Sequence, residues 1–195
     1  MKKIIISAIF VIIITVAIFG TSAYYSDGLR SDDNPLEAGV LDVVVRETRI
    51  DPETGALVSY SGTLPAMPGV SCSKIVTVCN EGTVAAYVRI GVSESFELTR
   101  GTVDVTDTGL ITWELNSQYW ALQDGYYYYR TPLEAGRETE PLFTQITFAA
   151  EMDDTYEGSR AIVTVCAQAV QTTDNGTTVF EAIGWPSEEM GDENA

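Results

Sequence analysis

The sequence predicts an all-β fold, an antiparallel sandwich of jelly-roll-like or immunoglobulin-like type, and three observations predict it. Short runs rich in β-branched and aromatic residues recur between clusters of Gly, Pro, Asn and Asp. No long stretch places apolar residues at i, i+3, i+4 and i+7, the spacing an amphipathic helix needs. Hydrophobic residues make up 45% of the 195 residues, enough to bury a core and to exclude wholesale disorder.

The runs follow in order. Leu41–Val45 is the first and Lys74–Cys79 the second, closed by Asn80-Glu81-Gly82. Val84–Val92 carries Tyr87, Val88 and Ile90, and Leu110–Leu115 is shorter. Tyr119–Leu122 and Tyr126–Arg130 flank Gln123-Asp124-Gly125, a hairpin with Asp-Gly at its turn. Ile146–Ala150 and Ala161–Val170 complete the set, separated by the turn-like Asp153–Gly158. About eight short strands at this spacing fit two antiparallel sheets packed face to face. The pentapeptide Pro35-Leu36-Glu37-Ala38-Gly39 recurs as Pro132-Leu133-Glu134-Ala135-Gly136, and its Pro and Gly read as turn chemistry.

Ahead of the strands, Lys2 and Lys3 precede an uncharged apolar run from Ile4 to Phe19, followed by Gly20-Thr21-Ser22-Ala23. Basic, apolar and small in that order is the pattern of a signal peptide, cut between Ala23 and Tyr24. The run is short for a spanning helix, which needs about 20 apolar residues. An uncut membrane anchor is the alternative. The expected organisation is a signal peptide at 1–23, an N-terminal arm at 24–34, a sandwich domain at 35–186 and an acidic tail at 187–195.

Charge and composition exclude several functions. Eleven Lys and Arg face 28 Asp and Glu, a net charge of −17, and loss of Lys2 and Lys3 makes it −19. Such a surface repels nucleic acid and anionic lipid. There is no histidine, so neither a histidine-ligated zinc site nor a Ser-His-Asp or Cys-His hydrolase can be built. Cys72, Cys79 and Cys166 are an odd number. Cys72 and Cys79 would face opposite ways on one regular strand. Pairing of Cys166 with either stays open at this point, beside the reading of all three as small apolar fillers.

An ordered set of segments resembles the TasA/camelysin family. It begins with Gly20-Thr21-Ser22-Ala23-Tyr24-Tyr25-Ser26-Asp27 and Leu36-Glu37-Ala38-Gly39-Val40-Leu41-Asp42. It continues through Lys74–Gly82, Ala86–Ile90, Asp124–Tyr129, Pro141-Leu142-Phe143 and Gln168–Gln171. The resemblance implies a jelly-roll-like sandwich, processing by a signal peptidase of the SipW type, secretion, and a role in biofilm matrix fibres. It also implies that the arm of one subunit adds a strand to another, which is β-augmentation. The donor would be 24–34, with Tyr24, Tyr25 and Leu29 as its apolar residues among Asp27, Arg30, Asp32 and Asp33. The metalloprotease activity in part of the family's name does not carry over, because no histidine exists to hold zinc.

Candidate sites are few. Tyr126, Tyr127, Tyr128 and Tyr129, with Trp113 or Trp120, would form a surface platform for sugars or a partner if half of them faced outward. β-propensity alone also accounts for the tyrosine run. The carboxylates Glu151, Asp153 and Asp154, and Asp104 with Asp107, lack the loop pattern that calcium requires, so no metal or cofactor is expected. Asn175-Gly176-Thr177 fits an N-glycosylation acceptor but reads here as a turn. The expected function is that of a secreted, non-enzymatic matrix protein that associates with copies of itself or related subunits. A surface adhesin or carbohydrate-binding module is the alternative, and contact with membrane is expected only through the signal segment.

Overall fold

The computed structural model describes residues 39–60, 63–99, 104–106 and 108–186. The signal segment with its Ala23–Tyr24 cut, the arm with Tyr24, Tyr25 and Leu29, and the acidic tail at 187–195 lie outside the described residues.

The described chain is an all-β sandwich. In chain order the strands are β1 (Val43–Ile50), β2 (Leu57–Ser59), β3 (Leu64–Pro65), β4 (Ser71–Ser73), β5 (Ile75–Asn80) and β6 (Ala86–Glu97). They continue with β7 (Asp104–Thr106), β8 (Ile111–Trp113), β9 (Trp120–Gln123), β10 (Tyr126–Tyr129), β11 (Gln145–Phe148) and β12 (Arg160–Gln171). A single 3-10 turn, Asp154–Tyr156, interrupts them.

One layer is the sheet β3-β12-β6-β10-β9, with β7 beside the far end of β6. β6 and β12 pair along their whole length, from Arg160 opposite Glu97 to Gln171 opposite Ala86. The other layer consists of β2-β1-β5 and β4-β11-β8. These two sheets are joined because β4 and β5 form a single line broken only at Lys74. The segment after residue 138 runs beside it, through Val76 N to Phe143 O, Leu142 N to Val76 O and Thr139 N to Val78 O. Every strand pair is antiparallel.

Period-two alternation builds the core. β6 turns Ala86, Val88, Ile90 and Phe96 inward, and β12 turns Ala161 and Val163 the same way. Val76, Val78, Ile111, Leu142, Phe143, Ile146 and Phe148 face them from the opposite layer. Burying each large apolar side chain fully contributes roughly 1.5–3 kcal/mol. On the outer face of β6 and β10 a smaller cluster forms from Tyr87, Tyr128, Val170, Val179 and Ala182. The irregular segment 172–186 supplies its cover. Asp174 and Gly176 take positive φ there, and the Asn175 amide donates to Gln171 O and Ile183 O. Asn175 is thus a buried turn residue.

The tyrosine run splits as alternation requires. Tyr127 and Tyr129 point to the core side, where Tyr127 accepts from Trp113 Nε1 and Tyr129 packs on Trp120. Tyr126 and Tyr128 point outward, yet Tyr128 lies against Phe180 and Trp185. β1 and β6 run further than the sequence suggests. Their extra residues alternate polar side chains outward with Glu47 and Glu94 inward, which reads in sequence as the end of a strand.

Candidate functional site

Among the described residues β12 is paired along its whole length on one side only, by β6. On the side away from β6 it pairs with β3 at Arg160 and Ala161 and nowhere else among the described residues. β1 is similar among the described residues: β5 occupies one side, and on the other β2 pairs at Thr48–Ile50 and Tyr60 N donates to Glu47 O. β12 and β1 approach within 8 Å, Cα to Cα, and the open edge of β12 from Ile162 to Gln171 and that of β1 from Val43 to Arg46 line the same concavities. Unpaired N–H and C=O groups on such edges are templates for another strand.

A groove runs between the two edges as two concavities lined by consecutive stretches of the same strands. The first, about 410 Å³, is lined by Leu41, Asp42, Val43, Cys166, Ala167, Gln168, Ala169 and Pro186. The second, about 490 Å³, is lined by Val45, Glu47, Tyr60, Val163, Thr164 and Val165. Val163, Val165, Ala167 and Ala169 are the inward-facing set of β12, so the floor of the groove continues the core.

The groove has an apolar end and a polar end. At the apolar end the chain at Val40–Asp42 is clamped to the β5–β6 turn. Glu81 N and Gly82 N donate to Asp42 O, Thr83 N to Val40 O, and Val40 N to Thr83 Oγ1. Gly82 is required there, because a Cβ would stand 2.3 Å from Val40 O. At the polar end Lys74 has no exposed surface, and its Nζ lies 2.8 Å from Glu47 Oε1 and 3.8 Å from the Tyr60 ring centroid. Burial pushes the Lys74 ammonium below its usual range, and the bond to Glu47 opposes that shift. Burial first, then Glu47 and Cys72, pushes the Tyr60 phenol up to about 12. Its Oη is buried and has no hydrogen-bond partner among the described residues.

The aromatic platform expected from the sequence is not assembled on the surface. Trp120 is 0% exposed with its indole N–H donated to Glu140 O, and Tyr128 and Tyr129 are buried. Tyr126 and Tyr127 are half-buried. Tyr126 instead stacks on Arg89, whose guanidinium sits 3.8 Å from that ring centroid and 4.7 Å from Trp185. Arg89 also donates to Gln168 Oε1 and Tyr128 Oη within the sheet and to Pro186 O, so that with its stack on Trp185 it fastens the segment 172–186 to the sheet. Sequence alternation correctly puts two tyrosines outward; what it lacks is the long-range cover of Phe180 and Trp185.

The three cysteines are free, so the pairing left open for Cys166 does not occur; Cys79 is buried, Cys72 half-buried and Cys166 exposed at the groove. Of the acidic groups considered for calcium, Asp153 caps the 3-10 turn by accepting from Thr155 N. Asp107 lies outside the described residues. No group of three or more potential metal-ligating side chains gathers among the described residues. A third concavity of about 360 Å³, with Glu114, Asn116, Ser117, Gln118, Thr144 and Gln145 at its rim, is polar, and the ring in its lining, Phe143, is 1% exposed. The groove thus stands out through residues the sequence did not single out. Glu47, Tyr60 and Lys74 carry no motif, and the open edges depend on strand order. No family model, curated protein or solved structure matches this chain.

Proposed function

We propose that this protein is a secreted structural protein that joins to other copies, or to related subunits of an extracellular matrix, by strand addition at the β1–β12 groove. The observation that carries the reading is the pair of open strand edges flanking a groove with an apolar and a polar end. Backbone hydrogen bonds along such an edge supply affinity, and the alternating pockets supply register. The donor is the N-terminal arm, 24–34, of another copy, exposed after the signal segment has been cut. Two features support this choice. Leu41–Val43, which follow the arm in sequence, line the groove itself. The basic, apolar and small pattern at 1–23 also supports export.

Electron microscopy and light scattering of the secreted protein, with and without residues 24–34, test the proposal. Association that needs the arm and is abolished by Ala167→Lys supports it, since the lysine puts a charge on the groove floor. A protein that remains monomeric at high concentration, or assembles equally well without its arm, overturns it. The adhesin alternative gains no support from the geometry, because the rings it relied on are buried or half-buried against the protein's own segment 172–186.

A further inference from the structure

We propose that the groove has a closed form, in which β1 and β12 pair directly with each other and shut out a docking strand. This rests on the strand-addition reading above and adds its regulation. Along a strand, successive residues turn their N–H and C=O groups to opposite neighbours. On β12 the even-numbered residues address β6, because Thr172 N donates to Ala85 O in the same register. The odd-numbered ones turn away from β6: Ser159 O accepts from Ala66 N, and Gln171 O from the Asn175 amide. On β1 the even-numbered residues address β5, since Asp42 O accepts from Glu81 N, while Glu47 O turns the other way to Tyr60 N. The backbone groups turned to the open side are therefore those of Val43 and Val45 on β1 and of Val163, Val165, Ala167 and Ala169 on β12. The two strands run in opposite directions, for Leu41–Val43 line one concavity with Cys166–Ala169, and Val45 and Glu47 line the other with Val163–Val165. The register Val43 opposite Ala167 and Val45 opposite Val165 satisfies all of this. It sets open backbone groups against open backbone groups, and the four side chains already pack on one core. No ladder joins β1 to β12 among the described residues, yet the strands approach within 8 Å, Cα to Cα. A strand bonded to both edges needs about 9.4–9.8 Å between them, two ladder spacings. Docking between the edges thus widens the seam and closure narrows it, and both use the same groups on β12.

In that register Val44 stands opposite Cys166, at a non-hydrogen-bonded position where paired Cα atoms come to about 4.5 Å. Val44 is 38% exposed, and Cys166 is exposed and free. A disulfide needs Cα atoms about 4.4–6.8 Å apart, so Val44→Cys traps the closed form with a native thiol. Cys79 lies opposite Val44 on β5 and is replaced by alanine in every protein compared. The chain without residues 1–23 is oxidised with diamide, which takes up the two thiol hydrogens. The expected result is a disulfide within one chain between position 44 and Cys166, read by peptide mass. Association, read by light scattering, is then lost and returns with dithiothreitol. Val44→Cys with Cys166→Ser should associate like the parent under the same oxidant; loss of association there overturns the proposal, because the substitution alone would account for it. Thiols that stay reduced, or a bond formed only between copies, overturn the closed form and leave strand addition intact. Association at the parent concentration with the bond formed in every chain overturns strand addition at this groove. A parent that never associates overturns both.

Discussion

Lys74 shows how one residue can be costly and still retained. Its ammonium has no exposed surface, and its charge partner Glu47 is 27% exposed. Removing one member of a buried pair leaves the other charge uncompensated, at a cost of about 3–5 kcal/mol. The two removals are not equivalent here. Glu47→Ala strands a cation that water cannot reach, whereas Lys74→Met leaves a carboxylate that water can. Urea unfolding should show Glu47→Ala losing about 3–5 kcal/mol and Lys74→Met clearly less. Equal losses would mean that packing, not charge, sets the stability of this corner. Tyr60 adds a pH dependence. Its folded pKa is raised above the unfolded value, so its contribution is fully present below pH 10 and is lost as pH rises toward about 12. Thermal melts between pH 9 and 12 should therefore fall more steeply for the wild type than for Tyr60→Phe. Parallel curves would contradict the assignment.

At the scale of elements, the segment 172–186 is held by a stack rather than by a strand ladder. Arg89 lies between Tyr126 and Trp185 and bonds Gln168, so Arg89→Ala should loosen the whole segment. The expected cost is about 1–2 kcal/mol, with a red shift of Trp185 fluorescence and faster proteolysis near Phe180. Unchanged fluorescence would show that Val179 and Ala182 hold the segment unaided. The same elements show what a sequence can and cannot reveal. Alternation in Val84–Val92 and Ala161–Val170 is plain because nearly every inward position is apolar. It fades beyond Val92, where Glu94 turns inward to accept from Thr108 Oγ1 and Ile111 N. The strands β2, β3, β4 and β7 are two or three residues long, too short for any period to register. Trp120 stands beside a hairpin, yet it is buried in the core with its indole N–H donated to Glu140 O, 20 residues away.

At the scale of the whole molecule, charge and edge oppose each other. The proposed cut chain, of net charge −19, repels its copies, while on the proposed reading the groove between the open edges takes up a strand. Screening weakens the repulsion over about 10 Å at 0.1 M salt and leaves hydrogen bonds and apolar contacts largely intact. Association should therefore strengthen as salt rises from 0.01 to 0.5 M, read by light scattering at fixed protein concentration. Association that weakens with salt would point to ion pairing between subunits instead. The sandwich class was legible from composition and period alone. The groove was not, because it arises from which strands fail to meet.

Hydrogen–deuterium exchange along β12 tests the central claim most directly, comparing the chain without residues 1–23 in dilute and associated form. The account predicts that amides on the open edge between Ile162 and Gln171 exchange in the dilute protein and become protected on association. Edge amides that exchange equally in both forms would contradict it.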